Sequence, residues 1–388
     1  MSRSVLRLTL LAVLAGTLLQ TGCDSFKSSK DNVDPPTELV DLTSARSVNR
    51  LWSAKAGPGA ARQGGRLAPA VADGTVYVAS VEGTLSAFDA SSGRLRWKID
   101  TEQPLAGGPA AADGLVVVGS LEGQLLAFDT EGNPRWDAQL SSEVIGAPAI
   151  ARGMVVAQAN DGRTYAFDQD SGEARWLLDR AVPTLSLRGT ATPLIGEGST
   201  FIGQANGKLT AVANLDGGVE WEYAVGTADG RNDLERMVDV DGRMLLIQGD
   251  LYAIGYGAQV AALASESGRV LWSRDMSSYS GLDLAGSSLF TTTSDGEVLG
   301  MATRSGSVLW KQEALKFRFL STPVVHGSLL AVGDYEGYVH WLDQESGEIV
   351  ARARAGKKGI RSAPRVVDDV LYVLDLDGTL SAFAAPGG

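Results

Sequence analysis

Gly83-Thr-Leu-Ser-Ala-Phe-Asp-Ala-Ser-Ser-Gly-Arg-Leu-Arg-Trp97 is the stretch whose reading decides the fold. Edited copies follow at 123–136, 162–176, 207–221, 257–272 and 296–310, each ending on Trp. A seventh, 337–351, ends on Ala351, and an eighth starts at Gly378 and runs out at Gly388 before any Trp strand. Self-similarity at a period of about 40 residues is the signature of a propeller or a solenoid.

Each copy and the residues ahead of it read as four short strands. In 107–136, Gly107-Gly-Pro-Ala-Ala-Ala forms a first strand and Asp113-Gly114 a turn. Leu115-Val-Val-Val-Gly-Ser forms a second strand, Gln124-Leu-Leu-Ala-Phe-Asp a third, and the fourth carries Trp136. Gly, Asp and Asn stand where tight hairpins need positive φ. The second strands are apolar on consecutive residues, as in a sheet covered on both faces. First strands are rich in Gly, Ala, Ser and Thr (Gly146-Ala-Pro-Ala, Ser321-Thr-Pro, Ser362-Ala-Pro), which suits the crowded axis of a ring. The Trp strands belong at the rim, where sheets diverge and a large ring fills the gap.

Counting gives seven complete copies and an eighth, from Arg361 to about Pro386, that lacks its fourth strand. At the other end, Asn49-Arg-Leu-Trp52-Ser-Ala-Lys is a Trp strand with no three strands before it. Joining the two predicts an all-β, eight-bladed β-propeller with four antiparallel strands per blade, closed by the N-terminal strand, over residues 50–388. The closing strand would also cover a sheet edge prone to aggregation. Seven blades with a loose N-terminal segment is the alternative.

The first 22 residues read as a targeting segment: Arg3 and Arg7, then the uncharged run Leu8–Gly22, too short to span a bilayer. Thr21-Gly22-Cys23 resembles the lipobox of bacterial lipoproteins, in which the cysteine is acylated and becomes the first residue; here Gln20 holds the place usually given to Leu. A plain secretory signal with an incidental thiol is the other reading. Cys23 is the only cysteine, so a structural disulfide and a thiolate metal site are both excluded. Residues 23–49, polar and Pro-containing, are expected to tether a membrane anchor to the ring, with a span of roughly 25–30 Å. Asp24 resembles an inner-membrane retention signal in enteric lipoproteins.

The formal net charge of −12, falling to −14 once residues 1–22 are removed, argues against nucleic-acid binding. The repeat resembles the pyrroloquinoline-quinone type, with Ala87-Phe-Asp89, Ala127-Phe-Asp129 and Ala166-Phe-Asp168 followed by Gly and Trp. It defines an architecture and does not establish a cofactor. A quinoprotein dehydrogenase is therefore the alternative function. It would need clustered calcium ligands and a catalytic Asp, and no such constellation is visible. The repeated aspartates read as turn caps. Neither His326 nor His340 has a metal-ligand spacing, and Trp341, where most third strands carry Ala, reads as packing. No catalytic residue, metal ligand or cofactor is expected.

Function is expected where the period breaks. Trp-to-Trp spacings of 39 and 40 rise to 45 and 51 before returning to 38. The excess falls in Asp179–Arg188 and Gly226–Met237, both between a last strand and the next first strand. Such connections emerge on one face, so neighbouring blades build one patch. Leu185 and Leu187, flanked by Arg188, have the make-up of a protein-binding hot spot; both Leu folding back onto the blades is the other reading.

Lipobox, tether, propeller, Leu185-Ser-Leu-Arg-Gly189, Leu234-Glu-Arg-Met-Val-Asp-Val-Asp241 and Gly333-Asp-Tyr-Glu-Gly-Tyr-Val-His-Trp-Leu-Asp343 together resemble the BamB family over essentially the whole mature chain. These are lipoprotein subunits of the β-barrel assembly machinery (BAM complex) of the Gram-negative outer membrane. The resemblance implies a non-catalytic scaffold on the periplasmic side, working with BamA and other BAM subunits. It implies that Leu185, Leu187, Arg188, Asp239 and Asp241 bind the POTRA domains of BamA, and that unfolded outer-membrane protein precursors are a further partner. After Asp241 this chain reads Gly-Arg-Met where relatives often have Thr-Thr-Pro.

Overall fold

A computed structural model of the chain describes residues 34–42, 45–59, 67–183, 185–187, 191–229, 231–232 and 235–387. Cys23, residues 24–33 and 43–44 of the expected tether, and Arg188 lie outside the described residues. From Thr37 the chain is one unit, all-β, with no helix among the described residues. Its strands, β1 (Arg50–Lys55) to β32 (Thr379–Ala384), form eight four-stranded antiparallel sheets. Blades 1 to 7 are built from consecutive strands over 70–100, 105–139, 149–178, 194–224, 245–275, 283–312 and 324–354. Blade 8 takes β30 (Arg365–Val367), β31 (Val370–Leu374) and β32 from the C-terminus and β1 from the N-terminus. Trp52 of β1 faces Ala382, and the Ala384 N–H donates to the Asn49 carbonyl at 3.0 Å, so the two chain ends zip the ring shut.

The radial order follows side-chain size as expected. First strands meet neighbouring first strands around the axis and line a central channel. Second and third strands are buried almost throughout, for example Thr75–Ala79 and Leu115–Ser120. Fourth strands are half-exposed at the rim.

The repeat spacing Gly…Trp has a mechanical cause. In each of seven blades the fourth-strand Trp donates its indole N–H to a carbonyl in the third–fourth turn of the next blade, at 2.7–3.0 Å. Beneath each ring lies that turn's glycine. Gly268, at φ 66°, comes so close to Trp221 that a Cβ would sit 2.7 Å from the indole. Positive φ and contact with the ring both demand Gly there. Opposite each of these Trp residues stands a small residue, Ala in six blades and Gly300 in blade 6.

Blade 7 is the exception, and the topology explains it. Its neighbour, blade 8, has no third–fourth turn, because its third strand is β32 and its fourth is β1; a rim Trp would have nothing to grip. The cross-strand pair is reversed instead, with Trp341 on the third strand facing Ala351 on the fourth. Trp341 is fully buried and packs edge-on to Phe383, which bears out the packing reading.

Both histidines are core residues held neutral by fixed donors. The Trp341 indole N–H donates to His326 Nδ1 at 3.0 Å, which leaves Nε2–H to donate to the Asp369 carbonyl at 2.9 Å. The Arg352 Nε–H donates to His340 Nδ1 at 3.2 Å, so its Nε2–H faces the Asp334 carboxylate at 3.0 Å. Burial lowers both pKa values. The repeated aspartates cap turns: Asp89 Oδ1 accepts the Ser92 N–H at 2.9 Å and Asp168 Oδ1 the Ser171 N–H at 3.0 Å.

Composition places the start of the ring near residue 50, but the chain is held against it from Thr37. The Thr37 N–H donates to the Lys316 carbonyl at 3.0 Å, and its own carbonyl accepts from buried Arg318 at 2.8 Å. Farther along, Arg352 donates to the Val40 carbonyl at 2.9 Å and Leu39 packs against the core of blades 6 and 7. The segment is docked mainly by its backbone, which is why its polar side chains give no sign of it.

Candidate functional site

The two long connections flank one blade. Residues 179–193 join β13 (Ala174–Leu178) to β14 (Leu194–Ile195), the first strand of blade 4. Residues 225–244 join β17 (Val219–Ala224), its last strand, to β18 (Leu245–Ile247) in blade 5. In antiparallel blades of this strand order, connections between blades share a face with the turns between second and third strands. Both segments therefore emerge beside the blade 4 turn at 204–207, and there they meet.

Gly203, the last residue of β15 (Ser199–Gly203), is covered from both sides, by Ala191 of the first segment and Val240 of the second. The Val240 N–H donates to the Gln204 carbonyl at 3.2 Å, and Val225 donates to the Gly207 carbonyl at 2.9 Å. Asp239 forms a two-way backbone bridge with Tyr256 in blade 5, at 3.1 and 2.8 Å. The second segment is thereby tied to both flanking blades. At the base of the first, Arg163 pairs with Asp179 at 2.9 Å and Arg180 with Glu222 at 3.1 Å. Burial tends to raise the pKa of Glu222, but Lys208 and Arg180 outweigh it and hold the carboxyl below its ordinary value.

Leu187 and Asp239 line one small cleft with Gln158, Gln204 and Val182. Leu185, two residues before Leu187, is 46 % exposed, and Leu187 is partly buried. The Asp239 side chain is buried and that of Asp241 partly so. The structure thus brings Leu187 and Asp239 to one place, with Leu185 and Asp241 each two residues along their own segment. It adds what sequence reading missed. Gln158 Oε1 and both amide atoms of Gln204 are buried without hydrogen-bond partners. Such groups are rare in folded proteins and are normally completed by water or a partner. Tyr256 and Tyr279 stack at 4.4 Å beside Asp239, with Tyr279 39 % exposed. Both tyrosines lie in connections of this face; only the face assignment, combined with their type, could have singled them out. Among the described residues no three His, Cys, Asp or Glu side chains converge as metal ligands.

The family model described as outer membrane protein assembly factor BamB matches residues 37–130, 98–312 and 294–388. The BamB of Pseudomonas aeruginosa is 42% identical over 373 residues, covering 96% of this chain and 97% of that protein. The BamB of Xanthomonas campestris is 39% identical over 395 residues, with 97% of each covered. The crystal structure of BamB from Moraxella catarrhalis superposes with a TM-score of 0.80 at 28% identity, covering 87% of this chain and all of that one. A quinohemoprotein alcohol dehydrogenase from Comamonas testosteroni reaches a TM-score of 0.69 at 14% identity, over 90% of this chain and 78% of that one. At that identity the likeness shows the blade architecture alone.

Proposed function

Since the chain belongs to the BamB family of outer membrane protein assembly factors, we propose that it serves the β-barrel assembly machinery as a non-catalytic scaffold that docks the POTRA domains of BamA. The observation that carries this reading is the meeting of two inserted segments over blade 4, where Leu187 and Asp239 share one cleft. The exposed Leu185 and its neighbour Leu187 supply apolar anchors of the kind that dominate binding energy when a partner covers them. Arg188 and Asp241 supply charge that fixes orientation. Asp239, buried as it is, acts chiefly by shaping the cleft. The unpartnered Oε1 of Gln158 and the amide of Gln204 offer polar groups at the base of the cleft.

In this reading Cys23 carries the lipid that holds the protein to the outer membrane on its periplasmic side, and residues 24–36 lead to the ring. Neighbouring subunits of the machinery and unfolded outer-membrane protein precursors meet other parts of the surface. The test is capture of BamA from envelope extracts by the purified protein and by a folded Leu185→Ala/Leu187→Ala/Arg188→Ala variant. Loss of capture by the variant supports the docking site, and equal capture removes it.

A further inference from the structure

The channel along the ring axis has a volume of about 510 Å³ and receives residues from all eight blades. That is within the range of small-molecule sites, about 300–1,000 Å³. Its wall is mostly Ala, Val and Pro, and it carries three charged residues, Arg243, Asp283 and Arg365. Asp283 and Arg365 are the first residues of the first strands of blades 6 and 8, and Arg243 stands two residues before β18, toward the face carrying the two inserted segments.

Asp283 is fully engaged. Its Oδ2 accepts the Val325 N–H at 2.7 Å, and its Oδ1 lies 3.6 Å from Arg243. Arg365 is not. Its hydrogen bond is one long contact from Nε to the Pro69 carbonyl at 3.4 Å. A guanidinium has five N–H donors, so both terminal nitrogens of Arg365 are left facing the channel without a protein acceptor. Two cations against one carboxylate leave the channel wall positive there, within a chain whose formal net charge is −12. A cation on low-dielectric walls attracts anions more strongly than one on an open surface.

We propose that the channel binds a small oxyanion, a carboxylate or a phosphate, held by Arg365 with Arg243 at the mouth. Arg365 meets it with its free N–H fork, the geometry that suits both groups. Burial, and then the charge of Arg243, lower the pKa of Arg365 to about 10, a cost that an incoming anion relieves. Asp283 sets the limit on affinity, since it competes for Arg243. Because Arg243 belongs to the second inserted segment, an occupied channel ties that segment to blade 8.

The experiment is thermal unfolding of the full chain in phosphate, acetate or benzoate against chloride at equal ionic strength, with titration calorimetry for any that stabilises. At least one oxyanion raises the midpoint above chloride in the wild type. Phosphate alone marks a phosphate ligand, and acetate or benzoate alone a carboxylate. Arg365→Met weakens binding about tenfold or more, as expected for a lost charge-assisted pair, and Arg365→Lys recovers part of it. Asp283→Asn keeps an acceptor for Val325 and tightens binding; should Arg365→Met not fold, Arg243→Gln, at the partly exposed mouth, tests the same loss. Equal midpoints in all salts, or a response that these arginine substitutions leave unchanged, overturns the proposal.

Discussion

Gly203 lies against the carbonyl of Val240 so closely that a Cβ on the glycine would overlap the oxygen and also come within 3.1 Å of the Ala191 methyl. One backbone position therefore sets the approach of both inserted segments to blade 4. Its φ lies outside the left-handed region, so contact alone demands glycine. Gly203→Val should cost about 1–3 kcal/mol through overpacking. It should also displace the second segment and weaken partner capture. Urea unfolding, together with capture of BamA, checks both; a variant as stable and as competent as the wild type contradicts the packing account.

The indole grips predict a graded series. Trp221→Phe loses the hydrogen bond to the Ser265 carbonyl but keeps most of the ring, and should cost about 1–2 kcal/mol. Gly268→Ala should cost more, because it pays backbone strain and a clash with the same ring. In blade 7, Trp341→Ala should cost about 3–5 kcal/mol. Adding Ala351→Trp should not restore it, since blade 8 offers no turn to grip. Melting temperatures of the four variants rank these claims, and recovery by Ala351→Trp would contradict the last.

Acid should loosen the ring well above the range in which carboxylates titrate. His326 and His340 have folded-state pKa values lowered by burial, while in the unfolded chain both protonate near pH 6.5. The unfolded state then binds more protons, so stability rises with pH between the folded values and about 6.5, and falls on acidification through that window. The slope approaches about 1.4 kcal/mol per pH unit for each histidine. Urea midpoints from pH 7.5 to 5 should fall accordingly; a flat profile would show that the histidines are not held neutral.

A chain beginning at Ala56 lacks β1, and with it the rim strand of blade 8 and the Trp52 grip on the Ala90 carbonyl. It should melt at least about 5 °C lower. It should also self-associate through the uncovered edge of β32. Size-exclusion chromatography and calorimetry test this. A monomer of unchanged melting temperature would mean that the ring does not depend on joining its ends.

Blade number, strand order and ring closure were legible because each rests on a local, repeated signal: Asp-Gly turns, small first strands, and the Gly…Trp spacing. The position of the two inserted segments was legible as an interruption of that period. Contacts that leave no period were not. Arg243, Asp283 and Arg365 are isolated single residues, about 40 and 80 positions apart, that only the ring brings to one axis. Tyr256 and Tyr279 sit in ordinary-looking turns, and their stack depends on how blades 5 and 6 abut. The docking of residues 37–42 and 45–49 runs largely through main-chain carbonyls and arginine side chains, neither of which marks the sequence. The loss of Trp from blade 7 was visible, but its cause lies in the blade that follows.

The most direct test of the central claim is the affinity of a purified POTRA fragment of BamA for this protein, measured by titration with wild type, Leu185→Ala/Leu187→Ala, and Leu95→Ala on the exposed rim of blade 1. Two central apolar anchors predict a loss of about 2 kcal/mol or more, some thirtyfold, for the double variant, with Leu95→Ala unchanged. Equal affinity for all three would show that the two segments meeting over blade 4 are not where the partner docks.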